Sequence, residues 1–566
     1  MKEEKSKINI PRLIVRIVIL LVILLILLFV IKIAPNYTKG EFEGITNLVI
    51  NNNNITRNVK SEIIIEDDGK TVYLGTDDVK NFFDEYLLID EENNRIITTS
   101  KTKTVEMPLE GKQIKSSGSN VEIEHGIIKK DGKYYMPMSD LANIYGIELK
   151  YSKESDIVTI DSIDRKMVQA KAKKNMGIKY KATGFSKNVD KVSKGDTLIL
   201  VQDKEKGGNI VISGWVQVRT KEGEIGYVKE KDIENEEVIR ENEVSKTKLD
   251  GKVSLVWDYY SQYVTAPVRT GEIEGINVLS PSFYEITASG DLDSNIGLSG
   301  KNYIEWAHAN GYKVWPMVQN SELGDLDAMS KILSTYESRE YLISNIVTSL
   351  VSNGVDGVNI DFENMYKADK DNFSRFLIEL APRLREAGLT LSVDVTAPDG
   401  SETWSLCFDR NLIGNVADYI IFMAYDQNGV SSTKAGTVAG ADWVELNIKK
   451  FLGQEGVNSD KIILGIPFYT RLWKESNGTL TSSVVNMRSV KVPDGVEKTW
   501  DESTKQYYIE YEQGATNYKM WIEDEESIKA KLDLINQYDL AGAGFWSKDR
   551  ESNTIWGIVA DKLNIK

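Results

Sequence analysis

Asp361 and Glu363 are the residues of this chain best placed to do chemistry. They fall in the run Asp356-Gly357-Val358-Asn359-Ile360-Asp361-Phe362-Glu363, which alternates polar and apolar residues with period two. Asn359, Asp361 and Glu363 share one strand face, and Val358, Ile360 and Phe362 share the other. An unpaired buried carboxylate is costly, so a core strand does not aim two of them inward. A strand that ends in a polar cavity does. Two carboxyls there can divide proton transfer between an acid and its partner. Glu363 stands at the carboxyl end, where parallel-barrel enzymes keep their chemistry.

Such a strand needs neighbours that run the same way. From residue 250 onward eight strand candidates occur, at 253–256, 276–280, 313–317, 357–361, 390–395, 419–423, 462–466 and 542–546. Several are continuously apolar, as parallel strands covered on both sides should be. Amphipathic helical patterns fit between them at 299–310, 337–353, 371–387, 444–452 and 524–538. The fold class is α/β, and 250–566 is expected to be a (β/α)8 TIM barrel. A small α+β insertion is expected at about 471–520, from its strand pattern Gln506-Tyr507-Tyr508-Ile509-Glu510-Tyr511. In a barrel the strand ends meet at one mouth. Here they would bring together Asp361 and Glu363, Asp394 of Val393-Asp394-Val395-Thr396, Met423-Ala424-Tyr425-Asp426, and Trp546. Carboxylates with a tyrosine and a tryptophan suit sugars, whose C–H faces lie on aromatic rings.

These motifs resemble glycoside hydrolase family 18, whose fourth-strand pattern is Asp-x-x-Asp-x-Asp-x-Glu. It reads Asp356, Asn359, Asp361, Glu363 here. Met423-x-Tyr425-Asp426 is similar to the family's sixth-strand motif, and Trp546 to the tryptophan that floors its catalytic subsite. Asp-Gly-Val-Asn-Ile-Asp-Phe-Glu-Asn and Trp521-Ile522-Glu523-Asp524-Glu525-Glu526-Ser527 look like the bacterial spore-cortex and cell-wall N-acetylglucosaminidase branch. The resemblance implies a hydrolase of N-acetylglucosamine linkages in peptidoglycan. It implies that Glu363 protonates the glycosidic oxygen and Asp361 orients the substrate's 2-acetamido group. Tyr425 would bond the acetamido oxygen and Trp546 would stack under the ring. Asn359, Asp394, Met423 and Asp426 complete the expected substrate contacts. Asn359 departs from the family aspartate; an amide can hydrogen-bond Asp361 but cannot take its proton. Chitin, N-glycans, or a non-catalytic glycan-binding barrel are the alternative readings.

Composition narrows the partners. The chain has 566 residues and a formal net charge of −16, which excludes a basic nucleic-acid footprint. Two histidines, His125 and His308, and one cysteine, Cys407, make no metal-ligand pattern and no internal disulfide. No cofactor and no metal is expected. His308 reads as a surface residue and Cys407 as a small buried one. Trp404, Trp473 and Trp521 either extend the cleft or pack a core.

The apolar run 13–33 has the length of a membrane-spanning helix, about 20 residues. Lys2, Lys5, Lys7, Arg12 and Arg16 sit at its start, so 1–12 is expected in the cytoplasm and the rest outside. A cleaved signal peptide competes, but no Ala-x-Ala-like site follows, and an uncleaved anchor on a bacterial cell surface is the expectation. Residues 36–58 read as a polar tether. Within 59–163 the run Asp68-Gly69-Lys70 is echoed by Asp131-Gly132-Lys133, a period of roughly 60 residues, too long for a solenoid. A duplicated β-β-α-β stalk is expected, and it resembles the copper amine oxidase N-terminal-like domain. Residues 167–234 show short strands around Gly214-Trp215-Val216 and Gly226-Tyr227-Val228 and resemble a bacterial Src-homology-3-like barrel. Trp215 and Tyr227 either contact cell wall or, the favoured reading, fill the small core. The charged stretch 235–245 reads as a linker.

Overall fold

The computed structural model describes residues 18–24, 42, 44–203, 206–241, 247–261 and 264–565. Residues 1–12 and most of 13–33 lie outside these; 18–24 are helical and exposed. Among the described residues no helix is long and apolar enough to cross a membrane. Two compact units emerge. One comprises the described residues of Met1–Leu87, Pro108–Lys112 and Glu122–Val244; the other comprises those of Leu88–Met107, Gln113–Val121 and Ser245–Lys566.

In the first unit the two copies of the repeat pair with each other. Val72–Gly75 lies antiparallel to Lys133–Pro137, with Leu74 opposite Met136. Each copy is one strand longer than expected. Its helix, Thr76–Phe82 or Ala142–Tyr145, is followed by a hairpin: Ile147–Ser152 with Ile157–Ser162 in the second copy, and in the first copy Leu88–Asp90 with Arg95–Thr99, which belongs to the second unit. The expected tether is in part a strand. Asn47–Ile50 runs parallel to Ile157–Ser162, and Ile50 faces Asn53 across a two-residue turn. Asn51 and Asn52 make that turn at φ 50° and 64°, the left-handed pair a tight hairpin needs and asparagine tolerates. Strands from Met167 to Arg240 form an antiparallel sheet around Val168, Ala170, Leu198, Leu200, Val216 and Val218. Its last strand, Ile233–Arg240, occupies part of the expected linker. Trp215 and Tyr227 do not fill this core. Alternation turns Val216 and Val228 inward and leaves both aromatics half-buried, with Lys229 Nζ 5.5 Å from the Trp215 ring.

The second unit holds the barrel. Its strands are β1 (Val253–Asp258), β2 (Val278–Pro281), β3 (Lys313–Val314, resumed at Met317–Gln319), β4 (Gly357–Asp361), β5 (Thr390–Val395), β6 (Tyr419–Met423), β7 (Ile462–Pro467) and β8 (Gly542–Trp546). All neighbours are parallel, and β8 pairs with both β7 and β1, closing the ring. The eight expected strands are the eight observed. β3 alone is broken, because Pro316 has no N–H to give the ladder. Its two halves serve different neighbours, β2 and β4. Five helices match the expected patterns: α1 (Gly297–Ala309), α3 (Tyr336–Asn353), α4 (Lys370–Glu386), α6 (Ala441–Gly453) and α7 (Glu525–Gln537). The shorter α2 (Leu326–Ser334), α5 (Arg410–Val416) and α8 (Ile555–Leu563) were not anticipated. Asp524 starts α7 by accepting from the Glu526 and Ser527 N–H groups, with Ser527 answering as a capping box. Part of the Trp521–Ser527 signature is therefore a helix start.

The insertion between β7 and β8 is a five-stranded antiparallel sheet and not α+β. Its strands are Tyr469–Ser476, Thr479–Asn486, Thr499–Asp501, Gln506–Gln513 and Thr516–Ile522. Two turns explain it. Asn477-Gly478 and Gly514-Ala515 are two-residue connections, with φ of 50°, 73° and 65° at Asn477, Gly478 and Gly514. Those dipeptides favour hairpins over helices.

Candidate active site

β4 holds its motif at two ends. Asp356, just before the strand, accepts from Lys313 Nζ and His308 Nε2, each at 2.8 Å, and from the Val314 N–H at 3.0 Å. Burial pushes its carboxyl up, but these donors win and hold it below the usual range. Asp356 is thus an anchor at the closed end, and His308, exposed at the surface as expected, is one of its partners. Glu363 lies two residues past Asp361 at the open end. Asn320 grips its backbone in both directions, donating to the Glu363 carbonyl and accepting from its N–H, both at 2.9 Å.

Asp361 is buried, with Oδ2 accepting from Gln319 Nε2 at 3.2 Å and Oδ1 unpartnered. Burial and the charge of Glu285 push its carboxyl up to about 6, against the pull of Gln319. Glu363 is raised well above its ordinary value, by burial first, then by Asp361 and Asp426. Asp394, buried on β5, is likewise raised, by burial and then Asp361. Asn359 is not bonded to Asp361. Its amide nitrogen donates to Asp394 Oδ1 at 2.7 Å and to Ser392 Oγ at 3.3 Å. The Trp257 indole takes its amide oxygen at 2.7 Å, which turns the nitrogen toward β5.

Tyr425 lies two residues past the end of β6, and Trp546 ends β8. Tyr425 and Trp546 pack on a core of Trp257, Trp315, Met317, Tyr419 and Ile421. The Tyr425 hydroxyl is raised by burial and then by Asp394, Tyr469, Asp361 and Glu363, so tyrosine and carboxyls share one space. Trp546 meets Trp257 edge-on at 5.7 Å and Tyr259 at 5.5 Å. Met423 is buried at the end of β6. Gly465 on β7 makes room there: a Cβ would sit 2.7 Å from the Phe422 carbonyl and 3.3 Å from the Tyr425 ring. Asp426 borders the cluster, where its charge acts on Glu363. It is exposed, accepts from the Tyr469 hydroxyl at 2.8 Å, and lies 3.6 Å from Arg471. Trp473 is core, its indole donating to the Gly436 carbonyl. Trp521 is half-buried against Tyr508, 4.7 Å between rings. Trp404 is also half-buried, its carbonyl held by the Thr396 hydroxyl.

Sequence reading passed over Glu285, Gln319, Asn320 and Trp257. Gln319-Asn320 closes the apolar run of β3, and Trp257-Asp258 closes β1, the same strand-end signal that marks Glu363. Glu285 follows β2 in a short strand that no alternation announces. Its effect is testable. If Asp361 acts as an anion, activity falls as pH drops through about 6. Glu285→Gln removes a charge that raises Asp361, so the acidic limb of kcat/KM is expected to move to lower pH. An unmoved limb means that Asp361 ionisation does not set it.

A model of the family described as "Glycosyl hydrolases family 18" matches residues 256–551. The uncharacterized glycosylase YvbX of Bacillus subtilis is 23% identical over 295 residues, covering 50% of this chain and 84% of that protein. The cortical fragment-lytic enzyme of B. subtilis is 24% identical over 250 residues, covering 42% of this chain and 57% of that protein. Among solved structures, the Bacillus megaterium spore cortex-lytic enzyme is 20% identical, covers 58% of this chain and 77% of its own, and gives a TM-score of 0.46.

Proposed function

The chain belongs to glycosyl hydrolases family 18, and on that premise we propose that it hydrolyses N-acetylglucosamine linkages of peptidoglycan by a retaining, substrate-assisted mechanism. The observation that carries this reading is the cluster of Asp361, Glu363 and Asp394 beside Tyr425, with Trp546 packed on Trp257, and no cation pairs with these carboxyls among the described residues. A carboxyl kept neutral by burial and by a neighbouring anion is a general acid at near-neutral pH. Glu363 protonates the glycosidic oxygen. The sugar's 2-acetamido oxygen attacks its own anomeric carbon, as the family's exception to the two-carboxylate scheme allows. Asp361, ionised above about 6, faces the positive charge that develops on that amide. Tyr425 orients the amide oxygen and Trp546 carries the ring. Glu363, now a carboxylate, takes a proton from the water that opens the intermediate.

Peptidoglycan is favoured over chitin by the rest of the chain. The basic cluster ahead of the apolar run 13–33 supports an anchor that holds the catalytic domain outside the cell membrane. The copper amine oxidase N-terminal-like repeat then acts as a stalk, and the Src-homology-3-like region as a cell-wall contact. The relative named a cortical fragment-lytic enzyme supports the same substrate class. Purified peptidoglycan and chitin oligomers, incubated side by side with the protein, test it. New reducing ends from peptidoglycan, located at N-acetylglucosamine by mass spectrometry of the muropeptides, are expected. Release from chitin alone would transfer the assignment to the chitinase reading.

A further inference from the structure

Asp361 and Asp394 stand on the same rung of the barrel. The β4–β5 ladder pairs Asn359 with Ser392 and Ile360 with Val393, so the next rung sets Asp361 beside Asp394. Adjacent strands run about 4.8 Å apart, and the two residues share the parity that faces the lumen. Both are buried. Asp361 Oδ1 is a buried oxygen without a partner. No lysine, arginine or histidine pairs with either among the described residues; the groups that act on Asp394 are Asp361, Glu363, Asn359 and the Trp257 indole. Asn359 takes N–H and O–H donors on its oxygen, from Trp257 at 2.7 Å and Ser280 at 3.3 Å. Its nitrogen therefore holds Asp394 Oδ1, and it holds that oxygen strictly as an acceptor. Of two neighbouring buried carboxyls without a paired cation, one is held neutral at pH values where the other ionises.

We propose that Asp394 is a positioning residue that shares one proton with Asp361, so that β5 supplies the second carboxyl of the pair and Asn359 fixes it. The step balances within the pair. At near-neutral pH the one proton sits on the second oxygen of Asp394 and Asp361 is the anion that faces the substrate's positive charge. Once that charge is gone the proton can pass to Asp361, the Asp394 O–H breaking as the Asp361 O–H forms. Asn359 cannot take the proton, and its donation to Oδ1 leaves the other Asp394 oxygen free to carry it. Burial raises Asp394, which agrees with its being the neutral partner. The inference rests on Asp361 and Glu363 being the catalytic groups.

Transposing the carboxyl tests it. Asp394→Asn is expected to lower kcat about 10- to 100-fold. The double variant Asn359→Asp/Asp394→Asn puts a carboxyl back beside Asp361 on β4 and is expected to recover most of that loss. A residue that merely packs or touches substrate would not be rescued from position 359. Wild-type kcat in Asp394→Asn, or no recovery in the double variant, overturns the pair. Glu363→Gln separates this from the underlying reading. If that variant is inactive while Asp394→Asn is not, the shared proton fails and the acid assignment stands. If Asp394→Asn does not fold, Glu363→Gln protein carrying carboxyl-labelled aspartate serves instead. An isotope-shifted infrared band of a neutral carboxyl is expected at pH 7, and its absence overturns the proposal.

Discussion

Glu363→Gln is expected to lower kcat on N-acetylated glycan by about three orders of magnitude or more while glycan binding stays within a few-fold. The amide keeps the shape of the side chain and the Asn320 grip on the backbone at 2.9 Å, since that grip uses only main-chain groups. What it loses is the transferable proton. Asp361 cannot replace it, because Asp361 is engaged by Gln319 and its task is to be charged. Single-turnover rates and a binding isotherm for the same oligosaccharide separate the two effects. Wild-type turnover in this variant would remove Glu363 from the chemistry. Stability gives an independent check. Burial raises the Glu363 carboxyl in the folded protein relative to the unfolded chain. The folded state therefore keeps that proton at pH values where the unfolded chain has lost it. Stability falls as pH climbs from the unfolded value of about 4.3 toward the folded one, where an anion is forced into the cavity. The amide escapes this cost. At pH 8 the variant is expected to melt a few degrees above wild type, and near pH 4 the two should converge. Equal melting temperatures at both pH values would mean that Glu363 is ordinarily solvated.

The barrel was legible because its signal is redundant. Each strand is a short apolar run, each is followed by a helix-length segment, and the chemistry sits at run ends, so an error in one element does not disturb the next. Gly357–Asp361, Thr390–Val395 and Tyr419–Met423 were found to the residue. Where one residue overrides a pattern, the reading failed. Pro316 split a strand that its apolar neighbours suggested was continuous. Asn51 and Asn52, in a polar run that looked like a tether, make a turn by adopting left-handed backbone. Gly478 and Gly514 made hairpins of an insertion expected to hold a helix. In the site, types and strand ends located Asp361, Glu363, Asp394, Tyr425 and Trp546, but could not orient them. Which group the Asn359 amide holds depends on Trp257, which is 102 residues away in sequence, and no local pattern carries that information. Glu285 was invisible for the same reason: its influence on Asp361 is through space.

Removing the acetyl group from the substrate is expected to be as damaging as removing the acid. Two routes to a retained product are open to a site with two carboxyls. In one, Asp361 attacks the anomeric carbon and a covalent glycosyl-enzyme forms; in the other, the substrate's own amide does so. Asp361 ends β4 and Glu363 lies two residues beyond it, a backbone span of at most about 7 Å, so this spacing alone does not exclude attack by Asp361. Its environment argues against it. A nucleophile should be free and aimed, whereas Asp361 is buried, bonded to Gln319 at 3.2 Å and set beside a second carboxyl. That position suits an anion that steadies a positive charge. The amide, by contrast, is already part of the substrate, and an intramolecular nucleophile gains an effective molarity of about 10⁵ M or more. N-deacetylated polymer is therefore expected to be cleaved at least about 10³-fold more slowly than its acetylated parent, with binding weakened far less. Initial rates on matched acetylated and deacetylated oligomers decide it, with proton NMR of the first product recording the anomer. Retention with acetylated substrate and loss of cleavage without the acetyl group support the amide as nucleophile. Retention with equal rates on both polymers would assign the attack to Asp361, and inversion would exclude both routes.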